Sequence, residues 1–248
     1  SHLERVMIKN RPDHVLVVNY FGFPAEMGPL KEVLTPFNVK IIEDNAHGFL
    51  STDTDGQWLG LRGDWGIFSF RKSFPVYNGA VVAKKGAMAV KQPKRSYFQP
   101  HWKFKAKDLL RQVAFILGPP LFVKLLEKLR KPIVPQLRSP NFSYQQPINM
   151  WLEVSKFDLL KNSKNRRDLF NLLLKQTDIL RIEPVFKSVT ENVVPYCFPF
   201  WPKADVQQIE QKFKKMGLEI FHWPDLTPES SAQLEPEFKN IWAVRFIW

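Results

Sequence analysis

The first third of the chain places its apolar residues in short unbroken runs. Val15–Phe21 (VLVVNYF), Val39–Glu43 (VKIIE), Gly66–Phe70 (GIFSF) and Gly79–Ala83 (GAVVA) each have the length of a strand. Continuous rather than alternating apolar character is the mark of strands buried on both faces, as in parallel sheets. Between the first two runs, Pro24–Thr35 sets Met27, Leu30, Val33 and Leu34 at helical spacing. The pattern predicts an α/β fold, a mainly parallel sheet covered by helices, in a large domain extending to about residue 140. A long helix is predicted from Ile148 to about Gln176. Beyond Arg181, strand and helix alternate: Val193–Phe200, Asp205–Met216 and Leu218–His222. Asp205 suits an N-cap and Gly217 a C-cap. Residues 141–248 therefore read as the connecting helix and a smaller α+β domain.

The segment between these regions departs from the pattern. Residues 96–140 are irregular, Pro-rich and basic, with amphipathic pieces at Asp108–Leu117 and Leu121–Leu129 on either side of Gly118-Pro119-Pro120. The net charge is +12, and its distribution is uneven. Residues 84–138 hold 14 basic side chains against Asp108 and Glu127, so this segment accounts for the whole excess. Three readings stay open for it: a solvated surface, a face that binds the phosphates of a nucleotide-linked sugar, or an interfacial helix pair lying on an anionic membrane. No motif for nucleic-acid binding accompanies the charge, and no nucleic-acid partner is expected. The longest uncharged apolar run, Val113–Val123, is too short for a membrane span. Cys197 is the only cysteine. It rules out an intrachain disulfide and thiolate metal clusters, and suits a reducing, cytoplasmic setting.

Four residues carry candidate chemistry. Asp44 follows the buried run VKII-Glu43, so it lies at the carboxyl end of a strand, where open α/β sheets bind ligands; a turn or capping role is the bland alternative. His47 comes three residues later, with no second histidine at metal spacing, so no metal is expected. Lys72 emerges from the buried run GIFSF. Partial desolvation there would free a nucleophilic amine, unless the residue is simply a surface lysine. Ser69 either donates to a phosphate or serves as a small strand residue.

Their order is informative as a set. Ile42-Glu43-Asp44-Asn45-Ala46-His47-Gly48, then Gly63-Asp64-Trp65-Gly66-Ile67-Phe68-Ser69-Phe70, then Lys72 and Asn78-Gly79, resembles the DegT/DnrJ/EryC1/StrS aminotransferases. These are fold type I enzymes dependent on pyridoxal 5'-phosphate that act mostly on keto sugars. Val17–Pro24, Arg166-Arg167 and Trp223-Pro224-Asp225-Leu226 also resemble family segments. The serine and lysine stand three apart here, where the family usually has five. The family's N-terminal segment, with its phosphate-cradling turn, is missing, so the chain is expected to be part of a longer protein.

The resemblance implies a function. Lys72 would bind pyridoxal 5'-phosphate covalently and move the proton, and Asp44 would pair with the pyridine nitrogen. His47 would lie against the ring or its phenolic oxygen, and Ser69 would hold the phosphate. The reaction implied is transfer of an amino group, from glutamate, to a nucleotide-linked keto sugar for surface polysaccharide or a related glycan, in a homodimer. The rival expectation is a non-catalytic paralogue that kept the fold and binds a partner or the membrane surface.

Overall fold

In the computed structural model, residues 2–74, 79–86, 158–224 and 235–246 are described. They all belong to one compact unit made from residues 1–90 and 153–248. The apolar runs of the first third do become strands. β1 (His14–Val18), β2 (Lys40–Asp44), β3 (Trp65–Ser69) and β4 (Ala80–Lys84) lie side by side in that order. β1, β2 and β3 are parallel, with Val18 beside Asp44 and Asp44 beside Ile67. β4 runs antiparallel to β3. The predicted mainly parallel sheet thus has an antiparallel edge. Its cause is the short link from Ser69 to Ala80, since a parallel return needs a crossover of about a dozen residues or more.

Helices α1 (His2–Asn10) and α2 (Met27–Leu34) close one core. Met7, Met27 and Leu34 bury with Val17 and Ile41 of the sheet. The predicted strand Val15–Phe21 stops at Val18. Asn19 turns away with its side chain buried, and Phe21 takes a left-handed φ of 59° inside the 3-10 turn Tyr20–Gly22. The helix predicted from Pro24 starts at Met27.

The C-terminal part builds a second, antiparallel sheet. β5 (Ile182–Pro184), β6 (Cys197–Pro202), β7 (Ile220–Trp223) and β8 (Ile241–Arg245) lie in the order β5-β6-β8-β7. α3 (Phe70–Ser73) follows β3, α4 (Leu159–Leu174) is the described part of the predicted long helix, α5 (Thr177–Leu180) follows it, and α6 (Val206–Lys215) follows β6. Phe170 and Leu173 of α4 and Ile209 and Phe213 of α6 pack with Phe198, Phe200, Ala243 and Val244 of the sheet. Phe21 and Phe23, from the loop after β1, are buried in this same core. That plug joins the end of the parallel sheet to the second sheet.

Both predicted caps of α6 are present: Asp205 accepts from the Gln208 N–H, and Gly217 adopts φ 75°. β6 begins at Cys197 rather than Val193. The preceding amides are committed elsewhere, Val194 N–H to Ser51 Oγ at 2.9 Å and Tyr196 N–H to Phe21 O at 2.8 Å. Residues 87–157, which include both amphipathic pieces and most of the basic stretch, fall outside the described residues, as do Asn78, Asp225 and Leu226.

Candidate active site

The carboxyl end of β2 is held by a buried polar cluster. Glu43 is fully buried, and its carboxylate takes Arg62 Nε at 2.9 Å, the Arg62 backbone N–H at 3.0 Å and Asn19 Nδ2 at 2.8 Å. Burial pushes the Glu43 pKa up. Hydrogen bonds from Arg62, Asn19 and the Gly60 amide, with the Arg62 charge, outweigh it and hold the group below the usual value. Asn19 Nδ2 also reaches Asn45 Oδ1 at 3.2 Å, and Asn45 Nδ2 ties Gly48 O and Leu59 O at 2.9 and 2.7 Å. These bonds fix the turn that carries His47.

The loop before β3 is wedged just as tightly. A Cβ on Gly66 would lie 1.7 Å from Gly60 O, so only glycine fits there. Asp64, within the motif, is used structurally. Its carboxylate accepts the Ile41 N–H at 2.9 Å, and that bond lowers its pKa.

Asp44 stands at the carboxyl end of β2, where the sequence placed it. Its Oδ1 accepts the Ala46 N–H at 2.9 Å, closing the turn that follows. His47 is buried, with Nδ1 3.3 Å from the Phe21 N–H. Tyr196 lies flat on its ring, with centroids 4.4 Å apart and planes 4° from parallel. Trp223 meets it edge-on at 5.4 Å, and Phe21 lies nearly parallel farther out at 6.1 Å.

Lys72 lies on α3, directly after β3. A helix of four residues cannot hold itself. Phe70 and Phe74 at its two ends clamp onto Phe49, at 5.2 and 5.1 Å between ring centroids, and so fix it. This clamp sets Lys72 Nζ 3.0 Å from His47 Nε2 and 5.9 Å from the centre of the Tyr196 ring. Burial depresses the Lys72 pKa. The Asp44 charge opposes this and the Arg71 charge adds to it. Burial first, and then the charge of Lys72 wherever that amine is protonated, bring His47 down to about 3, so its imidazole is neutral over the ordinary pH range.

Lys72 and His47 are thus in direct contact, and Asp44 is close enough for its charge to act on the amine. Ser69 ends β3 one turn before Lys72, and its Oγ bonds no other described residue. Of the paired arginines, Arg166 is buried on α4 with Nη1 3.3 Å from Pro195 O, and burial lowers its pKa to about 10. No residue pattern announces Tyr196 or the Phe21 amide, because the ring and the amide reach His47 only through contacts distant in sequence. Cys197 is buried and its thiol is pushed up, so it stays protonated and is no nucleophile.

Residues 2–93 match the sequence model of the DegT/DnrJ/EryC1/StrS aminotransferase family. No curated protein matches the chain. Among solved structures it resembles a DegT DnrJ EryC1 StrS aminotransferase from Brucella abortus, at 13% identity and TM-score 0.56, over 98% of this chain and 62% of that one. It also resembles the E. coli GDP-4-keto-6-deoxy-D-mannose-3-dehydratase with bound hydrated PLP, at 15% identity and TM-score 0.54, over 98% and 65%. A third is Helicobacter pylori PseC, an aminotransferase involved in the biosynthesis of pseudoaminic acid, at 13% identity and TM-score 0.56, over 98% and 64%. At these identities the structures speak for the fold, and the chain spans less than two thirds of the length of each. Residues 2–93 thus carry the sequence signature of the DegT/DnrJ/EryC1/StrS aminotransferase family, and the chain shares the fold type I architecture of these solved structures.

Proposed function

We propose that this chain is part of an aminotransferase that uses pyridoxal 5'-phosphate to move an amino group, with glutamate as donor, onto a nucleotide-linked keto sugar. The observation that carries the reading is the half-buried amine of Lys72, 3.0 Å from His47 and within the field of Asp44, inside the segment that matches the family. A half-buried amine, a carboxylate at a strand end and a hydroxyl that bonds no other described residue make a donor set that fits the cofactor. Lys72 would hold its aldehyde carbon and Asp44 its ring nitrogen, with Ser69 toward the phosphate. Tyr196 covers one face of the His47 ring, and His47 would lie against the cofactor's ring or its phenolic oxygen. When bound, the cofactor supplies an electron sink for the carbon that loses a proton. Lys72, the only one of the four with a mobile amine, takes up that proton and returns it. Asp44 stabilises positive charge at the ring nitrogen and so strengthens the sink.

The sugar-nucleotide substrate draws support from the E. coli structure, a GDP-4-keto-6-deoxy-D-mannose-3-dehydratase with bound hydrated PLP. A role in surface polysaccharide or related glycan synthesis, a homodimer and a cytoplasmic location extend the same reading. Among the described residues, no helix is long and apolar enough to cross a membrane. Peripheral contact with an anionic membrane is one of the three readings open for the basic stretch 84–138, beside a solvated surface and a face for the nucleotide phosphates. The test of the reaction is a half-turnover: protein loaded with pyridoxal 5'-phosphate and given glutamate should release 2-oxoglutarate in amounts matching the bound cofactor. Loaded protein that releases none is not an aminotransferase of this kind.

A further inference from the structure

Both ring nitrogens of His47 are engaged, and together they determine a protonation state. Nδ1 faces the backbone N–H of Phe21 at 3.3 Å, and an amide can only donate. A ring nitrogen that accepts carries no proton, so the neutral imidazole has its single hydrogen on Nε2. Nε2 is the atom 3.0 Å from Lys72 Nζ. An Nε2–H must be met by an acceptor, and an ammonium has no lone pair to offer. The partner that completes the pair is therefore the neutral amine. The reverse arrangement, an ammonium donating to a bare Nε2, would put a proton on Nδ1 and set it against the Phe21 N–H, donor to donor.

The Phe21 amide is held in place from several sides. Phe21 adopts φ 59°, a region that residues with a side chain rarely occupy. Its carbonyl takes the Tyr196 N–H at 2.8 Å. Gly22, at φ 94°, backs so closely onto Val194 O that a Cβ there would lie 2.5 Å from it. Tyr196 thus secures the Phe21 backbone with its amide and presses its ring flat on His47.

We propose that Tyr196 and the Phe21 amide are positioning groups that lock His47 in its Nε2–H tautomer and thereby keep Lys72 a free amine, competent to take a carbonyl ligand. The purpose given to Lys72 rests on the function proposed above; the tautomer is a property of the chain before any ligand binds. The surrounding charges agree with the geometry. Burial and Arg71 disfavour the ammonium, Asp44 alone favours it, and Cys197, a neutral thiol, contributes no charge. The charged groups near Tyr196 are Arg166, Arg245 and Arg71, and none of them offers a proton acceptor.

The experiment needs no cofactor. Nitrogen-15 spectra of histidine-labelled protein, with His47 assigned by the resonance lost in His47→Gln, should show the Nε2–H tautomer. That signal should not titrate around the ordinary value of 6.5. In parallel, the pH dependence of Lys72 acetylation by acetic anhydride, read by mass spectrometry, should give a midpoint below the ordinary 10.5. Tyr196→Phe keeps the stacked ring and should leave both readouts unchanged. Tyr196→Ala should let His47 titrate and lower Lys72 acetylation near neutral pH about tenfold, the effect of a one-unit rise in pKa. A wild-type His47 carrying its proton on Nδ1, or titrating near 6.5, overturns the proposal whether or not the variants fold. So does a folded Tyr196→Ala that matches wild type in both readouts. A protein that passes these tests yet fails to take up pyridoxal 5'-phosphate would instead refute the proposed function.

Discussion

Replacing Arg62 with methionine keeps most of the side-chain length and removes a buried guanidinium. The Glu43 and Arg62 side chains are 0% and 2% exposed, so water cannot take over. Glu43 loses the donors Nε and Nη2 but keeps the residue-62 backbone N–H and Asn19 Nδ2. Ala25 O and Asn19 Oδ1 also lose their guanidinium donors. A hydrogen bond to a charged group is worth about 1.5–3 kcal/mol, and stranding one half of a buried ion pair about 3–5 kcal/mol. The expected loss is therefore about 3–5 kcal/mol, measured by urea unfolding followed by tryptophan fluorescence. A double variant, Glu43→Leu with Arg62→Met, leaves no buried charge and should recover most of it. Glu43 is depressed in the fold, so its contribution is present above the unfolded value of 4.5 and disappears as pH falls through the lower folded value. In Arg62→Met that loss should begin at higher pH. A single variant within about 1 kcal/mol of wild type would refute the argument.

Further outcomes follow from the same geometry. His47 sits near 3 in the fold and 6.5 unfolded, so between these values the unfolded chain binds the extra proton and stability should fall with acid; His47→Gln should flatten that part of a pH–urea series, and an unchanged slope would show that the ring is not buried neutral. Asp44→Asn should lower glutamate-dependent 2-oxoglutarate release by about 10² or more while cofactor affinity changes far less, because charge stabilisation at a developing centre is worth several kcal/mol; near-normal turnover would remove Asp44 from the ring nitrogen. The basic stretch should sediment the protein with anionic but not neutral vesicles, through about 1 kcal/mol per engaged residue, and high salt should release it. Indifference to anionic vesicles at low salt would end the membrane reading.

Short-range pattern made the parallel sheet legible. The three parallel strands and the antiparallel edge strand grow around short apolar runs, and the helix between β1 and β2 shows its period in Met27, Leu30 and Leu34. Asp205 and Gly217 were legible because cap chemistry is local. What escaped was long-range. Nothing near Phe21 in the sequence announces that its amide will meet His47, 26 residues away, or that its carbonyl will take the Tyr196 N–H. Glu43 stands in the motif and Arg62 belongs to none, and only the fold makes them a buried pair. β5 and β8 escaped for a related reason. β5 has three residues, and β8 is a short run at the end of the sequence whose partners β6 and β7 lie far upstream.

The most direct test of the central claim is chemical. The whole protein of which this chain is proposed to be part, loaded with pyridoxal 5'-phosphate, is reduced with borohydride, digested and mapped by mass spectrometry. The pyridoxyl group should be recovered on Lys72, and Lys72→Arg should abolish it. Recovery on another lysine, or on none, would contradict it.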